Sequence, residues 1–249
     1  MNEAGDQMCV EMPSTAFEFD AHIRYSEVDH RGVLKLPALI DYFQDCSTFQ
    51  SEKLGLGMAQ LKAQHRAWVL THWQIVIDRY PALAEPVTVG TYSCSFKGLT
   101  ANRCFYLRDS EGALIARARS TWAFMDVERG RLVRPEPEQI APFGTAEPFP
   151  MPPESRRVAI PESLDPCEPT TIQRYQIDTN EHVNNCQYVQ MALDVLPDEA
   201  SPAQVRVDYK RAAVLGDVVY PRMTCSETMV VVALDDSSGT PYAVVEFTF

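Results

Sequence analysis

Apolar and polar positions follow two patterns along this chain, a helical spacing and then a series of strand-like runs. This order of patterns occurs twice. In the first half, apolar residues follow one another at near-helical spacing at Leu39, Phe43, Cys46 and Leu54. Proline is favoured in the first turn of a helix and glycine just beyond its end. Pro37 on one side and Gly55 and Gly57 on the other therefore predict a helix between them.

A second helix is predicted in the other half of the chain. Asn184 or Asn185 can cap its start, because an asparagine side chain accepts a hydrogen bond from the free N–H groups of a first helical turn. Its apolar face is formed by Val189, Leu193 and Leu196. Pro197 is expected to end it, since the residue before a proline disfavours the helical conformation.

Runs rich in valine, isoleucine, threonine and aromatic residues follow each predicted helix and are typical of strands. They cover residues 72–80, 85–96, 101–109 and 113–127 in the first half, and 204–211, 218–228, 229–236 and 242–249 in the second. The segments DSEG and DDSSG supply turn-forming side chains between neighbouring runs. Each half is therefore predicted as an α+β unit, one helix followed by an antiparallel sheet that wraps it.

Short segments ahead of the two helices also match each other. RYSEVDHRGV at 24–33 and RYQIDTNEHV at 174–183 have equal length and share their Arg, their Tyr and their closing Val. In this alignment the residues Asp178, Asn180 and His182 of the second copy face Val28, His30 and Gly32 of the first. The match and the shared order of elements predict an internal duplication in which the polar triplet occurs once.

A proline-rich stretch marks the main boundary along the chain. Ten of the eighteen prolines fall between Pro135 and Pro169, where they favour extended, surface-running chain. We predict a linker at 135–169 between a domain at 16–134 and a domain at 170–249, preceded by a flexible acidic tail at 1–15. The linker is expected to be held against a domain surface by Ile140, Phe143, Phe149 and Ile160.

Composition and charge exclude several classes of protein. The 249 residues carry 22 Lys+Arg and 34 Asp+Glu, a formal net charge of −12, which is unlike a nucleic-acid-binding protein. The longest apolar run, 229–234, is far shorter than the ~20 residues of a membrane span, and the acidic start lacks the parts of a secretory signal. Seven cysteines without a CxxC pair indicate reduced thiols in a cytoplasmic protein, and the histidines do not supply zinc-ligand spacing. We expect no metal, no cofactor, no nucleic acid and no membrane.

Three motifs, in their order, make the chain resemble the acyl-ACP thioesterases of bacteria and plant plastids. They are WVLTHWQIVIDRYP at 68–81, NRCFYLRDSEGALIARARSTWAFMDVERGRLVRP at 102–135 and the run D-x-N-x-H-V-N-N at 178–185. The resemblance covers roughly residues 17–249 and is most specific in the last run. It implies a double hotdog fold, two tandem units each with a long helix wrapped by an antiparallel sheet. It also implies an enzyme that hydrolyses fatty acyl-ACP to free fatty acid and holo-ACP and so terminates fatty acid synthesis.

The resemblance also implies that Asp178, Asn180 and His182 form the catalytic set, and we assign Asp178 as the general base. Thioester hydrolysis needs an activated water or nucleophile, donors for the developing oxyanion and a departing thiolate. Residues two apart share a face of an extended segment, so the three side chains are expected to point into one cleft. Free N–H groups at 183–185, where a helix begins, are expected to receive the oxyanion. The alternative interpretation is structural, with Asp178 and Asn180 forming a turn and capping a helix.

The chain departs from the family pattern at one place. Plant members carry an acidic residue followed by Cys where this chain has Ala212 and Ala213. Either that pair is dispensable, or hydrolysis is weakened or lost. Cys186 lies near the motif, but a buried packing role on the helix is the commoner one for a free cysteine.

In the family the first hotdog unit holds the acyl chain, and aromatic residues of this half are candidates for such a pocket. They are Trp68, Trp73, Phe96, Phe105 and Trp122, for each of which plain core packing is the alternative. Glu27, Asp29 and His30 form a polar cluster ahead of the first helix, which we interpret as a solvated turn.

The implied partner is acyl carrier protein, an acidic protein, so docking requires a local basic patch. The candidates are Arg24, Lys97, Arg103, Arg174, Lys210 and Arg211. Three alternatives stay open at this point: an acyl-CoA thioesterase, a non-hydrolytic acyl-thioester-binding protein and, more remotely, a hotdog hydratase or dehydratase. A monomer and a homodimer are both compatible with two hotdog units in one chain.

Overall fold

A computed structural model describes residues 11–153, 155, 157–196 and 200–249 of the chain. The tail predicted at 1–15 therefore lies mostly outside the described residues, as does Pro197. The described chain separates into two compact units. The first comprises the residues up to Val69 together with Val76–Met151, and the second comprises Leu70–Ile75 together with Pro152–Phe249.

The first unit consists of one long helix and an antiparallel sheet. Helix α1 runs over Leu36–Lys53 and contacts the strands β1, Phe17–His22, and β3, Pro86–Lys97. Strands β4, Thr100–Asp109, and β5, Leu114–Asp126, continue the sheet in the order β1-β3-β4-β5, and β6, Arg131–Leu132, pairs with β5. Strand β2, Arg66–Ile77, has its middle in the second unit and its ends in the first. Two short helices, α2 at Met58–Ala63 and α3 at Pro137–Ile140, complete this unit.

The buried side of α1 explains why the helix forms there. Leu39, Ile40, Phe43 and Cys46 are at most 1% exposed, and Phe43 lies three or four residues from each of the other three. This spacing places them on the face that meets the sheet. Pro37 is in the first helical turn, as predicted.

The second unit repeats this construction with a shorter helix. Helix α4 spans Asn185–Asp194 and contacts β11, Met229–Asp235, and β12, Pro241–Thr248. The sheet runs in the order β9-β12-β11-β10, where β9 is Gln204–Tyr209 and β10 is Val218–Cys225. Two-residue strands β7, Asp165–Pro166, and β8, Thr170–Thr171, both pair with β10. All pairings within this sheet are antiparallel.

The predicted α+β class is confirmed, and both predicted helices and all eight predicted strands are present. Valine and other β-branched residues dominate the buried strands, as in Val230–Val232, each at most 4% exposed. The meander order is also found, with β3, β4 and β5 in sequence in one unit and β10, β11 and β12 in the other. The strand β1 was not predicted although its side chains alternate between half-buried and exposed, whereas the helices α2 and α3 are too brief to show a periodic pattern.

The proline-rich segment is divided between the two units. Its first part is held to the first unit: Ala146 N–H donates to the Ser93 carbonyl at 3.0 Å, and the Tyr92 hydroxyl donates to the Glu147 carbonyl at 3.0 Å. The second part belongs to the second unit, where Cys167 N–H donates to the Pro221 carbonyl at 2.9 Å. Of the four residues predicted to hold this segment in place, Phe143 and Phe149 are buried, Ile140 is half-buried and Ile160 is 43% exposed.

In the part of the chain that the structure describes, no helix combines the length and the apolar character that a membrane crossing requires. The same residues contain no group of three or more His, Cys, Asp or Glu side chains placed to hold a metal ion.

Candidate active site

The motif at 178–185 forms a closed turn followed directly by helix α4. One carboxylate oxygen of Asp178, Oδ1, accepts the backbone N–H of Asn180 at 2.8 Å and that of His182 at 3.3 Å. The N–H of Asp178 donates to the carbonyl of His182 at 2.8 Å, and Ile177 and Val183 form an antiparallel bridge at the neck of the turn. Aspartate favours such turns because its short side chain reaches its own backbone two residues on.

The expectation that residues 178–182 are extended is wrong. Glu181 adopts φ 63°, in the left-handed region, so residues 178–182 curl back on themselves. Asp178 is half-buried, whereas Asn180 and His182 are exposed. The alternation that was expected to place all three side chains on one face is therefore absent, and the turn sets their positions.

The start of α4 also differs from the expectation. The N–H of Val183 donates to the Ala213 carbonyl at 3.0 Å, and the N–H of Asn184 donates to the Gln176 carbonyl at 2.9 Å. Asn184 caps the helix, because its side-chain oxygen accepts the N–H of Cys186 at 3.1 Å. The prediction that Val183 and Asn184 offer free N–H groups to an oxyanion is wrong, since both already have partners.

Two tyrosines that were not predicted form hydrogen bonds with the backbone next to this turn. The Tyr188 hydroxyl on α4 accepts the N–H of Ala213 at 2.8 Å, and the Tyr209 hydroxyl at the end of β9 donates to the Asn185 carbonyl at 3.0 Å. Their rings meet edge to face at 5.7 Å. Burial raises the pKa of Tyr188 to about 12, so the hydroxyl stays protonated at neutral pH. Nothing local in the sequence signals this bracing, because it joins residues 20 to 30 positions apart.

Ala212 and Ala213, the two alanines at the positions where the resemblance implies an acid and a cysteine, have different environments. Ala213 is fully buried, and its N–H and its carbonyl are both engaged, by Tyr188 and by Val183. Ala212 is exposed. A side chain at 213 would thus be buried, whereas a side chain at 212 would be exposed to solvent.

Cys186 is buried, with 2% of its surface exposed, in the first turn of α4. Its sulfur accepts the Gln187 side-chain amide at 3.5 Å. These contacts agree with the packing role favoured from the sequence.

The first unit contains the same turn, one residue out of the register that the sequence match suggested. Asp29 Oδ1 accepts the N–H of Arg31 at 2.9 Å and that of Val33 at 3.2 Å. Asp29 is therefore the counterpart of Asp178, while Arg31 and Val33 take the places of Asn180 and His182. The alignment with Val28, His30 and Gly32 is wrong, because the shared letters Arg-Tyr are offset by one residue from the shared structure. The pairing of an apolar residue with the following aspartate, in VD and ID, is the signal that marks the correct register.

The side chains of these two turns differ in one important respect. In the first unit Arg31 binds the second oxygen of Asp29, with Nε at 2.9 Å and Nη2 at 2.7 Å. Burial alone would raise the pKa of Asp29, but the hydrogen bonds from Arg31 and the backbone outweigh it and lower the pKa. Within the described residues Asp178 has no ion pair, and its turn uses Oδ1 alone.

The polar cluster interpreted as a solvated turn is only partly solvated. His30 is exposed, but Glu27 accepts the hydroxyl of the buried Tyr42 at 2.7 Å and the N–H of Arg24 at 2.8 Å. Glu27 thus fixes the chain entering α1.

The aromatic residues proposed for an acyl pocket do not form one group. Phe96 lines an open groove of about 640 Å³ in the first unit, together with Arg134 and Ile140. Trp68 packs on Phe96 with ring centroids 6.3 Å apart. Phe105 and Trp73 are fully buried core residues, Trp73 lies in the second unit, and Trp122 donates to the Ser120 hydroxyl at 2.7 Å.

The basic residues proposed for carrier-protein docking also separate by environment. Arg103 is wrong as a docking residue: it is 8% exposed, and its guanidinium lies over the rings of Phe105 and Phe143. Lys210 and Arg211 form ion pairs with Asp208 and Asp236. These two residues are exposed, as are Arg24, Lys97 and Arg174, and Arg24 forms an ion pair with Glu27 at 3.4 Å.

Comparisons with known proteins identify the family of this chain. Residues 14–143 match the sequence profile of the acyl-ACP thioesterase N-terminal domain, and residues 165–245 match that of the acyl-ACP thioesterase C-terminal domain. Oleoyl-acyl carrier protein thioesterase 2 of Arabidopsis thaliana is 30% identical over 183 residues, which cover 68% of this chain and 50% of the relative. Palmitoyl-acyl carrier protein thioesterase of Gossypium hirsutum is 24% identical over 232 residues, 85% of this chain and 55% of the relative. The chain spans about half the length of these curated relatives.

The fold has a close match among solved structures. An acyl-ACP thioesterase from Bacteroides thetaiotaomicron superposes with a TM-score of 0.86, covering 94% of this chain and 98% of that one at 24% identity. The match establishes the predicted double hotdog fold. Because the profile of the N-terminal domain alone matches more than half of the 249 residues, the chain belongs to the acyl-ACP thioesterase family.

Proposed function

We propose that this chain hydrolyses the thioester of fatty acyl-ACP, releasing a free fatty acid and holo-acyl carrier protein. The observation that carries the proposal is the contrast between the turns at Asp178 and Asp29. Both turns use Oδ1 of the aspartate to bind two backbone N–H groups. Only Asp29 has its other oxygen held by an arginine.

The comparison of the two turns distinguishes the residues needed to form the turn from the residues available for chemistry. The turn at Asp29 closes with Arg31 and Val33 in its variable positions, so the backbone geometry does not require asparagine or histidine there. Asn180 and His182 therefore serve something other than the turn itself. Side chains that bind water or a carbonyl oxygen, beside a carboxylate without an ion pair, are suited to general-base hydrolysis.

The proposed reaction uses Asp178 as the base. Its Oδ2 accepts a proton from a water molecule as the water oxygen attacks the thioester carbon. Asn180 and His182 donate hydrogen bonds to the developing oxyanion or hold the water in line, since the N–H groups of Val183 and Asn184 are already engaged. The C–S bond then breaks, the carrier thiolate leaves and takes up a proton, and the carboxylate of the fatty acid is released.

The proposed protein partner is acyl carrier protein, and the family to which the chain belongs supports it. Relatives are named for oleoyl- and palmitoyl-acyl carrier protein, which share the carrier and differ in the acyl chain, so they support the proposed carrier but no particular chain length. Arg174 is exposed in the single 3-10 turn, Arg174–Gln176, that leads into Asp178. A cation there is placed to meet an acidic carrier surface next to the thioester.

The test compares two matched variants, Asp178→Asn and Asp29→Asn. Asparagine forms the same side-chain turn as aspartate but has no basic carboxylate, so each variant keeps its turn. Thiol release from a panel of acyl-ACPs of graded chain length is measured for each protein. We expect the rate to fall by about a hundredfold or more in Asp178→Asn, as loss of a general base produces, and to stay near wild type in Asp29→Asn. Equal rates for wild type and Asp178→Asn would contradict the proposed base.

One observation favours a second candidate, a non-hydrolytic acyl-thioester-binding protein. Ala212 is exposed and carries no acid where plant members have one. This candidate predicts that acyl-ACP binds to the wild-type protein and is recovered intact after prolonged incubation. Hydrolysis of any acyl-ACP that depends on Asp178 would exclude it.

A further inference from the structure

Two cysteine sulfurs meet in the sheet of the first unit. The Sγ atoms of Cys94 on β3 and Cys104 on β4 lie 3.1 Å apart, with the Cys94 thiol donating to the Cys104 sulfur. A β-bulge explains the contact. Tyr92 is paired with Cys104, and the register shifts between Ser93 and Ser95, so Cys94 is the extra residue on its strand.

The two sulfurs have different access to solvent. Cys104 is fully buried in a cluster with Tyr92, Tyr106 and Phe149, and Cys94 packs against this cluster while remaining half-buried. Cys94 is therefore the one of the two that is partly exposed to a small oxidant in solution, whereas Cys104 is shielded from it.

The hydrogen bond between the two sulfurs shifts the pKa values of Cys94 and Cys104 in opposite directions, so that one thiol proton is shared between them. The hydrogen bond from the Cys94 thiol lowers the pKa of Cys104; burial opposes this effect, and hydrogen bonds from the Phe149 backbone and Tyr92 add to the lowering. The same hydrogen bond raises the pKa of Cys94. Cys104 is thus the sulfur that carries thiolate character near neutral pH, and a thiolate is the nucleophile in disulfide formation.

We propose that Cys94 and Cys104 form a redox modification site, in which a peroxide converts the two thiols to a reversible intramolecular disulfide. The sulfurs need to approach by about 1 Å to reach the ~2.05 Å bond. This inference does not depend on the proposed hydrolase activity, because it concerns the sheet of the first unit alone.

The reaction balances with hydrogen peroxide as the oxidant. The Cys94 thiol first passes its proton along the hydrogen bond to the Cys104 thiolate, and the Cys94 thiolate so formed attacks one peroxide oxygen. The O–O bond breaks, a sulfenic acid forms, and the released hydroxide takes up a solvent proton to become water. The Cys104 sulfur then attacks the Cys94 sulfur and displaces its hydroxyl group, which leaves as a second water with the remaining thiol proton. A dithiol such as dithiothreitol reverses the change by thiol–disulfide exchange.

The experiment maps which thiols are lost when the folded, full-length chain is treated with hydrogen peroxide. The oxidant is removed, the protein is unfolded in urea with an alkylating reagent, and each cysteine peptide is quantified by mass spectrometry. We expect Cys94 and Cys104 to lose alkylation together and to appear as one cross-linked peptide, with both recovered after dithiothreitol. Cys46 is the matched control: it is fully buried on α1, and burial raises its pKa to about 12, so it should stay alkylated.

Two further samples make the result specific to the folded geometry. In Cys94→Ser the buried Cys104 should remain alkylated, because it is fully buried and has lost the sulfur with which it would form the disulfide. Oxidation of wild type already unfolded in urea should show no preference for this pair. The proposal is overturned if Cys94 and Cys104 stay alkylated in the folded wild type, or if they acquire separate oxygen adducts without a cross-link.

Discussion

The backbone carbonyl of Ala213 accepts the N–H of Val183 at 3.0 Å, directly behind the turn that presents Asp178 and His182. The N–H of the same alanine is held by the Tyr188 hydroxyl at 2.8 Å. A single buried residue thus connects the segment after β9 to both the turn and α4. The position of the candidate base depends on these hydrogen bonds as well as on its own turn.

We predict that Tyr188→Phe lowers both stability and activity. The change leaves the buried Ala213 N–H without its acceptor, which costs about 1–3 kcal/mol. Urea denaturation should show a loss of unfolding free energy of that size, and acyl-ACP hydrolysis should slow as the turn loses its support. Tyr220→Phe is the control, because Tyr220 is 39% exposed on β10. Equal stability of the two variants would show that Tyr188 does not brace the turn.

The strands and helices of this protein were predictable because their patterns are local. The runs at 101–109 and 229–236 end within one residue of β4 and β11, since their side chains alternate or stay apolar until a turn begins. The motif at Asp178 was visible for the same reason, as it lies within eight consecutive residues. Local pattern therefore predicted most of the helices and strands, whereas the three candidate side chains were named by the family resemblance that this run carries.

What the sequence did not predict depends on contacts between distant segments. The hydrogen bond between Ala213 and Tyr188 requires α4 to meet the segment that follows β9, which no spacing along the chain encodes. The register of the duplication was misjudged because Arg24 and Arg174 match in letter while the hydrogen bonds of Asp29 and Asp178 match in structure. Arg103 appeared to be a surface cation, yet it is buried among aromatic rings.

We predict that Ala212→Glu increases the rate of hydrolysis. Ala212 is exposed and immediately precedes the alanine that holds Val183, so a carboxylate there lies beside the candidate site. A rise of about tenfold in kcat is expected, a part of the ~10²–10⁴ that a positioned general base contributes. Ala212→Gln has nearly the same shape without the charge and serves as the control in the same thiol-release assay. If glutamine raises the rate as much as glutamate, the missing acid does not limit catalysis.

We predict that Arg174→Glu weakens the use of acyl-ACP more than that of acyl-CoA. The exposed guanidinium lies four residues before Asp178, where the proposed site would meet the acidic surface of the proposed carrier. Replacing it by a carboxylate juxtaposes like charges and should raise the KM for acyl-ACP by about tenfold at low salt.

Arg157→Glu is the control for Arg174→Glu, since it makes the same charge change at another exposed residue of the second unit. The KM values of both variants are compared on ACP and CoA esters of one chain length. An equal rise in both variants would indicate a general charge effect. If Arg174→Glu raised the KM for acyl-CoA as much as the KM for acyl-ACP, Arg174 would not be a contact for the carrier protein.

We predict that Asp208 makes the second unit sensitive to acid. Its side chain is 5% exposed, and its oxygens bind His72 Nδ1 at 2.7 Å, Lys210 Nζ at 2.8 Å and the Val158 N–H at 3.1 Å. Burial alone would raise the pKa of Asp208, but the hydrogen bonds from His72 and Lys210 outweigh it and lower the pKa to about 2. An unfolded aspartate has a pKa of about 3.9, so the carboxylate contributes about 2 kcal/mol of stability at neutral pH.

Because the pKa of Asp208 is lowered on folding, its contribution to stability disappears at low pH. A lowered folded-state pKa gives stability that is complete above about pH 4 and is lost as the pH falls toward about 2. Asp208→Asn should therefore be less stable than wild type at pH 7, and the difference should shrink as the pH falls from about 4 to about 2. Urea denaturation across this range measures the difference, with the exposed Glu227→Gln as the control. A stability difference that stays constant down to pH ~2 would mean that Asp208 acts through packing rather than through its charge.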